Sequence, residues 1–94
     1  MSKYRIFETD EFNRQLQKFP HQRIAFIRKK LKEYVYPQLK EEPYFGTNIK
    51  KLKGYVPETW RYQIGNTRIF YSCQEKEQIV YMLTIDLRKD VYRN

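Results

Sequence analysis

The chain has 94 residues, enough for one domain built around one core and too few for a second. Hydrophobic residues make up 40% and aromatic residues 17% of it, far more than a disordered basic tail carries. Nineteen Lys and Arg against eleven Asp and Glu leave a net charge of +8. That field attracts polyanions, although charge alone does not separate RNA, DNA, an anionic membrane and an acidic protein.

Cys73 is the only cysteine, so no intramolecular disulfide can form, and no apolar run follows the first charges of the N-terminal segment. Both features point to a reducing, cytoplasmic setting. No stretch approaches the roughly 18 consecutive apolar residues of a membrane span, and no membrane partner is expected.

In chain order, Tyr4 to Phe7 is a β-branched and aromatic run that reads as a strand. Thr9 or Asp10 can cap a following helix, with Glu11 near its positive end. Phe12, Leu16 and Phe19 recur at i, i+4 and i+7 and form one apolar stripe before Pro20 stops the helix. Ile24, Ile27, Leu31 and Tyr34 predict a second, longer helix, with Arg28, Lys29, Lys30, Lys32 and Glu33 mostly facing away. That helix is expected to end before Pro37, and the two helices to form a hairpin.

From Pro37 to Asn48 the periodicity disappears and the segment reads as the longest loop. Trp60, Tyr62 and Ile64 alternate with Arg61 and Gln63. Gly65-Asn66 supplies residues tolerant of positive φ, and Ile69, Tyr71 and Cys73 alternate with Arg68, Phe70 and Ser72. This is a β-hairpin. Gln74 to Gln78 makes a second turn, and Ile79 to Ile85 is apolar enough for a central strand buried on both faces. The order of strand, helix, helix, then three or four strands predicts a single α+β domain over residues 1–94. Its helical hairpin lies against one face of an antiparallel sheet, leaving the opposite face for a ligand.

Several chemistries are excluded by what is missing. His21 and Cys73 are the only residues of their kinds, too few for a zinc site, so no metal is expected. Gly46, Gly54 and Gly65 are scattered rather than clustered, so there is no phosphate-cradling loop, and no cofactor is expected. A catalytic triad would have to recruit His21, which sits beside Pro20 at a helix start. What remains is a set of arginines and tyrosines in the C-terminal half. Arg61, Arg68 and Arg88 lie on or just beyond three successive strands, close enough to converge on one phosphate or to serve only as solvent-facing strand residues. The Arg28 to Lys32 run is a solvated helix face or a contact to nucleic-acid backbone.

The segment Lys51-Leu52-Lys53-Gly54, the run from Trp60-Arg61-Tyr62-Gln63-Ile64-Gly65 through Arg68 to Tyr71, and the ending Leu87-Arg88-Lys89-Asp90-Val91-Tyr92 together resemble the RelE/ParE superfamily of toxins from type II toxin–antitoxin systems. The ordered set spans nearly the whole chain. The resemblance implies a β-α-α-β-β-β fold and a toxin held inactive in a hetero-oligomer with a cognate antitoxin. In the RelE branch it implies a ribosome-dependent, metal-independent endoribonuclease that cleaves translated mRNA to leave a 2′,3′-cyclic phosphate. Carried over by position, it implies Arg61 and Arg68 as phosphate-stabilising groups, Arg88 as a phosphate-stabilising or leaving-group-protonating one, and Tyr92 in proton transfer. Lys51, Lys53, Arg28, Lys29 and Lys32 are the candidate RNA contacts. Gln63 is neutral where the RelE pattern carries a second basic residue, and Asp86-Leu87 stands where many relatives have Gly-His or Gly-Lys. Two other readings stay open: a ParE-like inhibitor of DNA gyrase, and a degenerate toxin that only binds its antitoxin.

Overall fold

A computed structural model describes residues 3–87; Arg88 and Tyr92 lie outside the described residues. Strand β1 (Arg5–Glu8) leads into α1 (Asp10–Gln17). Thr9 joins the two: its Oγ1 accepts the Phe12 N–H at 3.1 Å and donates to the Met82 carbonyl at 2.8 Å. One hydroxyl thus satisfies an orphan helix donor and ties the helix start to the sheet. Phe12 and Leu16 are fully buried, as their spacing predicts.

The second helix departs from expectation. α2 (His21–Lys30) continues through a π-helical turn (Leu31–Val35) into α3 (Tyr36–Glu41), so Pro37 lies inside a helix rather than beyond its end. The Tyr36 N–H reaches back five residues to the Leu31 carbonyl. In an α-ladder the ring of Pro37 would meet the carbonyl four residues earlier, and the wider turn relieves that conflict. The same turn re-aims the apolar stripe. Ile27, Leu31, Val35 and Leu39 are buried, while Tyr34, expected inside, is 56% exposed. The loop that follows is correspondingly shorter than the expected span from Pro37 to Asn48.

Four further strands follow: β2 (Ile49–Leu52), β3 (Thr59–Ile64), β4 (Thr67–Gln74) and β5 (Ile79–Leu87). The sheet has five strands in the order β1-β5-β4-β3-β2, with β1 parallel to β5 and the other pairs antiparallel. The α+β class and the helical layer on one sheet face are as expected; β2 is an extra strand relative to the β-α-α-β-β-β order. Gly65 takes φ +57 in the β3–β4 turn, and a Cβ there would meet nothing within 4 Å. Its requirement is therefore one of backbone conformation rather than space.

Paired residues share a face of the sheet. Tyr62, Ile69, Tyr71, Val80, Met82 and Ile85 face the helices and are buried with Phe12, Leu16, Ile27, Leu31, Val35 and Leu39. A register shift between Phe70 and Tyr71 pairs Phe70 with Thr84 and Tyr71 with Met82, so Leu83 is an extra residue and both Met82 and Ile85 point inward. β5 lies inside the sheet, between β1 and β4, but is not buried on both faces: Tyr81, Thr84 and Asp86 are only partly covered. That partly covered side, on which no described helix packs, is the open face of the sheet.

Candidate functional site

The register builds two rows across the open face. Lys50 pairs with Arg61, Arg61 with Phe70, and Phe70 with Thr84; beside them Gln63 pairs with Arg68 and Arg68 with Asp86. Arg61 and Arg68 are therefore diagonal neighbours on adjacent strands, within reach of a common anion. Phe70 stands between them in the sheet, with the Arg68 guanidinium 5.6 Å from its ring centroid.

The charges on this face are unevenly balanced. Arg68 donates from Nη2 to Asp86 Oδ2 in a salt bridge whose side chains are 31% and 46% exposed. Lys50 and Arg61 sit side by side, and neither has an ion pair among the described residues. The Nε atoms of Arg61 and Arg68 are buried without a hydrogen-bond partner, an unmet donor capacity that an anionic ligand above the sheet can take up. Lys50 was missed as a candidate from sequence. Strand parity alone says only that Lys50 and Lys51 face opposite ways; the β2–β3 register decides that Lys50 shares the face of Arg61.

The other candidate residues do not join this cluster. Lys51 points the opposite way from Lys50 and pairs with Glu58 at 2.7 Å, which holds the Glu58 carboxyl below its ordinary range. Lys53 is exposed just beyond β2. Arg28 is engaged on the helical side of the sheet, with Nη1 2.9 Å from Glu8 Oε2 and Nη2 2.8 Å from Asn13 Oδ1. Lys29 and Lys32 are exposed in the helical layer, on the other side of the sheet from Arg61 and Arg68.

The described tyrosines with perturbed hydroxyls are structural. Burial and Glu8 push Tyr36 far up, and burial alone does most of the same to Tyr71, whose hydroxyl donates to the Pro43 carbonyl at 2.6 Å. Burial and Glu75 push Tyr4 up to about 12 and Tyr44 higher still. Protonated so firmly, these groups serve as hydrogen-bond donors that pin loops and, for Tyr36, tie the helical layer to β1, not as bases. Among the described residues no three His, Cys, Asp or Glu side chains are grouped to hold a metal ion, and no helix is long and apolar enough to cross a membrane.

No protein-family model and no curated protein matches the sequence. Solved structures match over almost the full chain. The toxin–antitoxin complex RelBE2 from Mycobacterium tuberculosis aligns with a TM-score of 0.75 at 24% identity, covering 96% of this chain and 97% of that one. The archaeal RelE-RelB complex from Pyrococcus horikoshii gives 0.68 at 21% identity, covering 94% and 98%. The isolated RelE toxin of Escherichia coli gives 0.63 at 19%, covering 95% and 90%. Strand order and helical layer thus follow an arrangement already seen in those molecules, and the fold of this chain is the RelE toxin fold.

Proposed function

We propose that the protein is a toxin of a type II toxin–antitoxin system that cleaves mRNA on the ribosome without a metal ion. The observation that carries this reading is the open face itself: Lys50, Arg61 and Arg68 brought together on three adjacent strands, with the helices packed on the other side. A 2′-hydroxyl attacks the adjacent phosphorus, the 5′-oxygen leaves with a proton, and a 2′,3′-cyclic phosphate remains. The protein has to neutralise the phosphorane and move two protons. Arg61 and Arg68 stabilise the phosphate with Lys50 beside them. Arg88 adds charge or protonates the leaving oxygen, and Tyr92 transfers a proton. Arginine is a poor base because its pKa exceeds about 12, so the ribosome's part is to hold the 2′-hydroxyl in line, an orientation effect worth about 7–11 kcal/mol.

The partner in the resting state is a cognate antitoxin carrying acidic residues, which covers the cationic face in a hetero-oligomer. The test is a cell-free translation extract with primer extension on its messages. Cuts confined to translated messages are expected. Intact messages together with blocked gyrase supercoiling would replace this reading with a ParE-like one. Intact messages with intact supercoiling would leave a degenerate toxin, for which the neutralisation of Arg68 by Asp86 is the motivating contact.

A further inference from the structure

Beside the open face the sheet has a notch. β2 pairs with β3 only from Thr59 to Tyr62, and beyond the Gln63 N–H, which the Asn48 carbonyl accepts, the edge of β3 has no strand partner among the described residues. A cavity of about 450 Å³ opens there between β3 and the α2–α3 helix, lined among others by Lys30, Tyr34, Gln38, Asn48, Gln63 and Ile64. Its volume lies in the range of small-ligand sites, and its chemistry is specific. Tyr34 contributes a ring that is 56% exposed. Lys30 holds its ammonium 4.8 Å from that ring's centroid and 5.4 Å from that of Phe26. Gln38 is fixed as a wall: its Oε1 accepts the Tyr62 hydroxyl at 2.7 Å, and its amide packs where Gly46 lacks a side chain. Gln63 spends its Nε2 on the Gly65 carbonyl at 2.8 Å, and no described residue donates to its Oε1. The Asn48 amide makes no hydrogen bond to a described residue, while its backbone carbonyl accepts the Gln63 N–H at 3.0 Å and holds it in place.

We propose that this cavity is a subsite for one unpaired RNA base and its phosphate. Tyr34 supplies the stacking surface, the Asn48 amide and Gln63 Oε1 read the hydrogen-bonding edge of the base, and Lys30 takes the phosphate. An aromatic face with neutral amides that both donate and accept is the combination by which proteins read splayed-out bases. A lysine already poised on the ring adds charge without a competing acid. Gln63 both lines the cavity and pairs across the strands with Arg68, so in this reading a strand with one phosphate at Arg68 passes over the edge of β3 and places a neighbouring nucleotide in the subsite. The inference rests on the RNA reading above and adds to it a source of base preference.

The test keeps the two apart. Nuclear magnetic resonance titration of the full chain with each of the four ribonucleoside monophosphates probes the cavity alone. Saturable shifts of the Asn48 and Gln63 side-chain amides by at least one of the four are expected. Tyr34→Ala, at an exposed position, should weaken binding by about fivefold or more, with Tyr34→Phe close to the parent. Unmoved amides with all four nucleotides, or a Tyr34→Ala variant that binds as the parent does, would overturn the subsite whatever the protein does to mRNA. Cleavage of translated messages is measured separately. If messages stay intact the function reading falls, and the nucleotide titration still decides the subsite.

Discussion

Arg68 on β4 and Asp86 on β5 stand directly opposite one another on the open face and share a charge-assisted hydrogen bond. A carboxylate at this point withdraws one of the three cations that would otherwise meet a phosphate. Asp86→Asn should therefore raise RNA affinity and steepen its salt dependence. A partly exposed ion pair contributes only about 0.2–1 kcal/mol, so the folded state should hardly notice. Binding of a single-stranded RNA at several salt concentrations, beside a urea titration, checks both halves. Unchanged affinity and salt slope would mean that Arg68 does not meet the RNA.

Lys50 and Lys51 are adjacent in sequence and lie on opposite faces of β2, which makes them an internal control. Lys50→Ala and Arg61→Ala should each slow message cleavage by about two to three orders of magnitude, the effect of losing one group that stabilises developing charge. Lys51→Ala should leave the rate near that of the parent, because it removes only the exposed pair with Glu58. All three should stay within about 1 kcal/mol of the parent in stability. Equal effects of Lys50→Ala and Lys51→Ala would remove the open face as the site.

These pairs show how far the residues alone reach. The Thr9 cap and the Phe12 and Leu16 stripe were legible because cap chemistry and helical period act over a few residues. The β3–β4 hairpin was legible for the same reason, through its alternation and Gly65. Pro37 misled because a local rule was overridden by the π turn, which depends on how the helix packs on the sheet and which exchanged Tyr34 for Val35 in the core. Lys50 was missed because β2 is short and its register is set by β3, ten or more residues away. The union of Arg68 with Asp86 belongs to the same class: Asp86 stood out as a departure from the RelE pattern, but its partner became visible only with the β4–β5 register.

Glu8 ties the helical layer to β1, accepting from Arg28 at 2.9 Å and from the Tyr36 hydroxyl. Glu8→Ala leaves the Tyr36 hydroxyl half-buried without its acceptor, a loss of about 1–3 kcal/mol. The network lies on the helical side of the sheet, so cleavage measured well below the melting transition should be unaffected. A urea titration read beside a cleavage assay tests this; a variant of full stability with lost activity would move the network into the functional site.

The last expectation concerns alkaline pH. Burial raises the Cys73 thiol from 9.0 to about 11, and burial with the Glu75 hydrogen bond raises Tyr4 from 10.0 to about 12. In both cases folding favours the protonated form. Their contribution is therefore fully present below the ordinary values and is lost as pH rises through the raised ones. Glu75 sharpens the effect: hydrogen bonds from Tyr44 and Tyr4 hold its carboxyl low, so a deprotonated Tyr4 would face an ionised carboxylate. Thermal midpoints measured from pH 8 to pH 12 should fall first across the thiol window and then across the tyrosine window. Cys73→Ala should remove the first part of the decline and leave the second, while Tyr4→Phe should soften the second and cost some stability at neutral pH, where it loses the 2.7 Å bond to Glu75. If Cys73→Ala follows the parent curve throughout, the thiol does not ionise with unfolding and its burial has no part in alkaline stability.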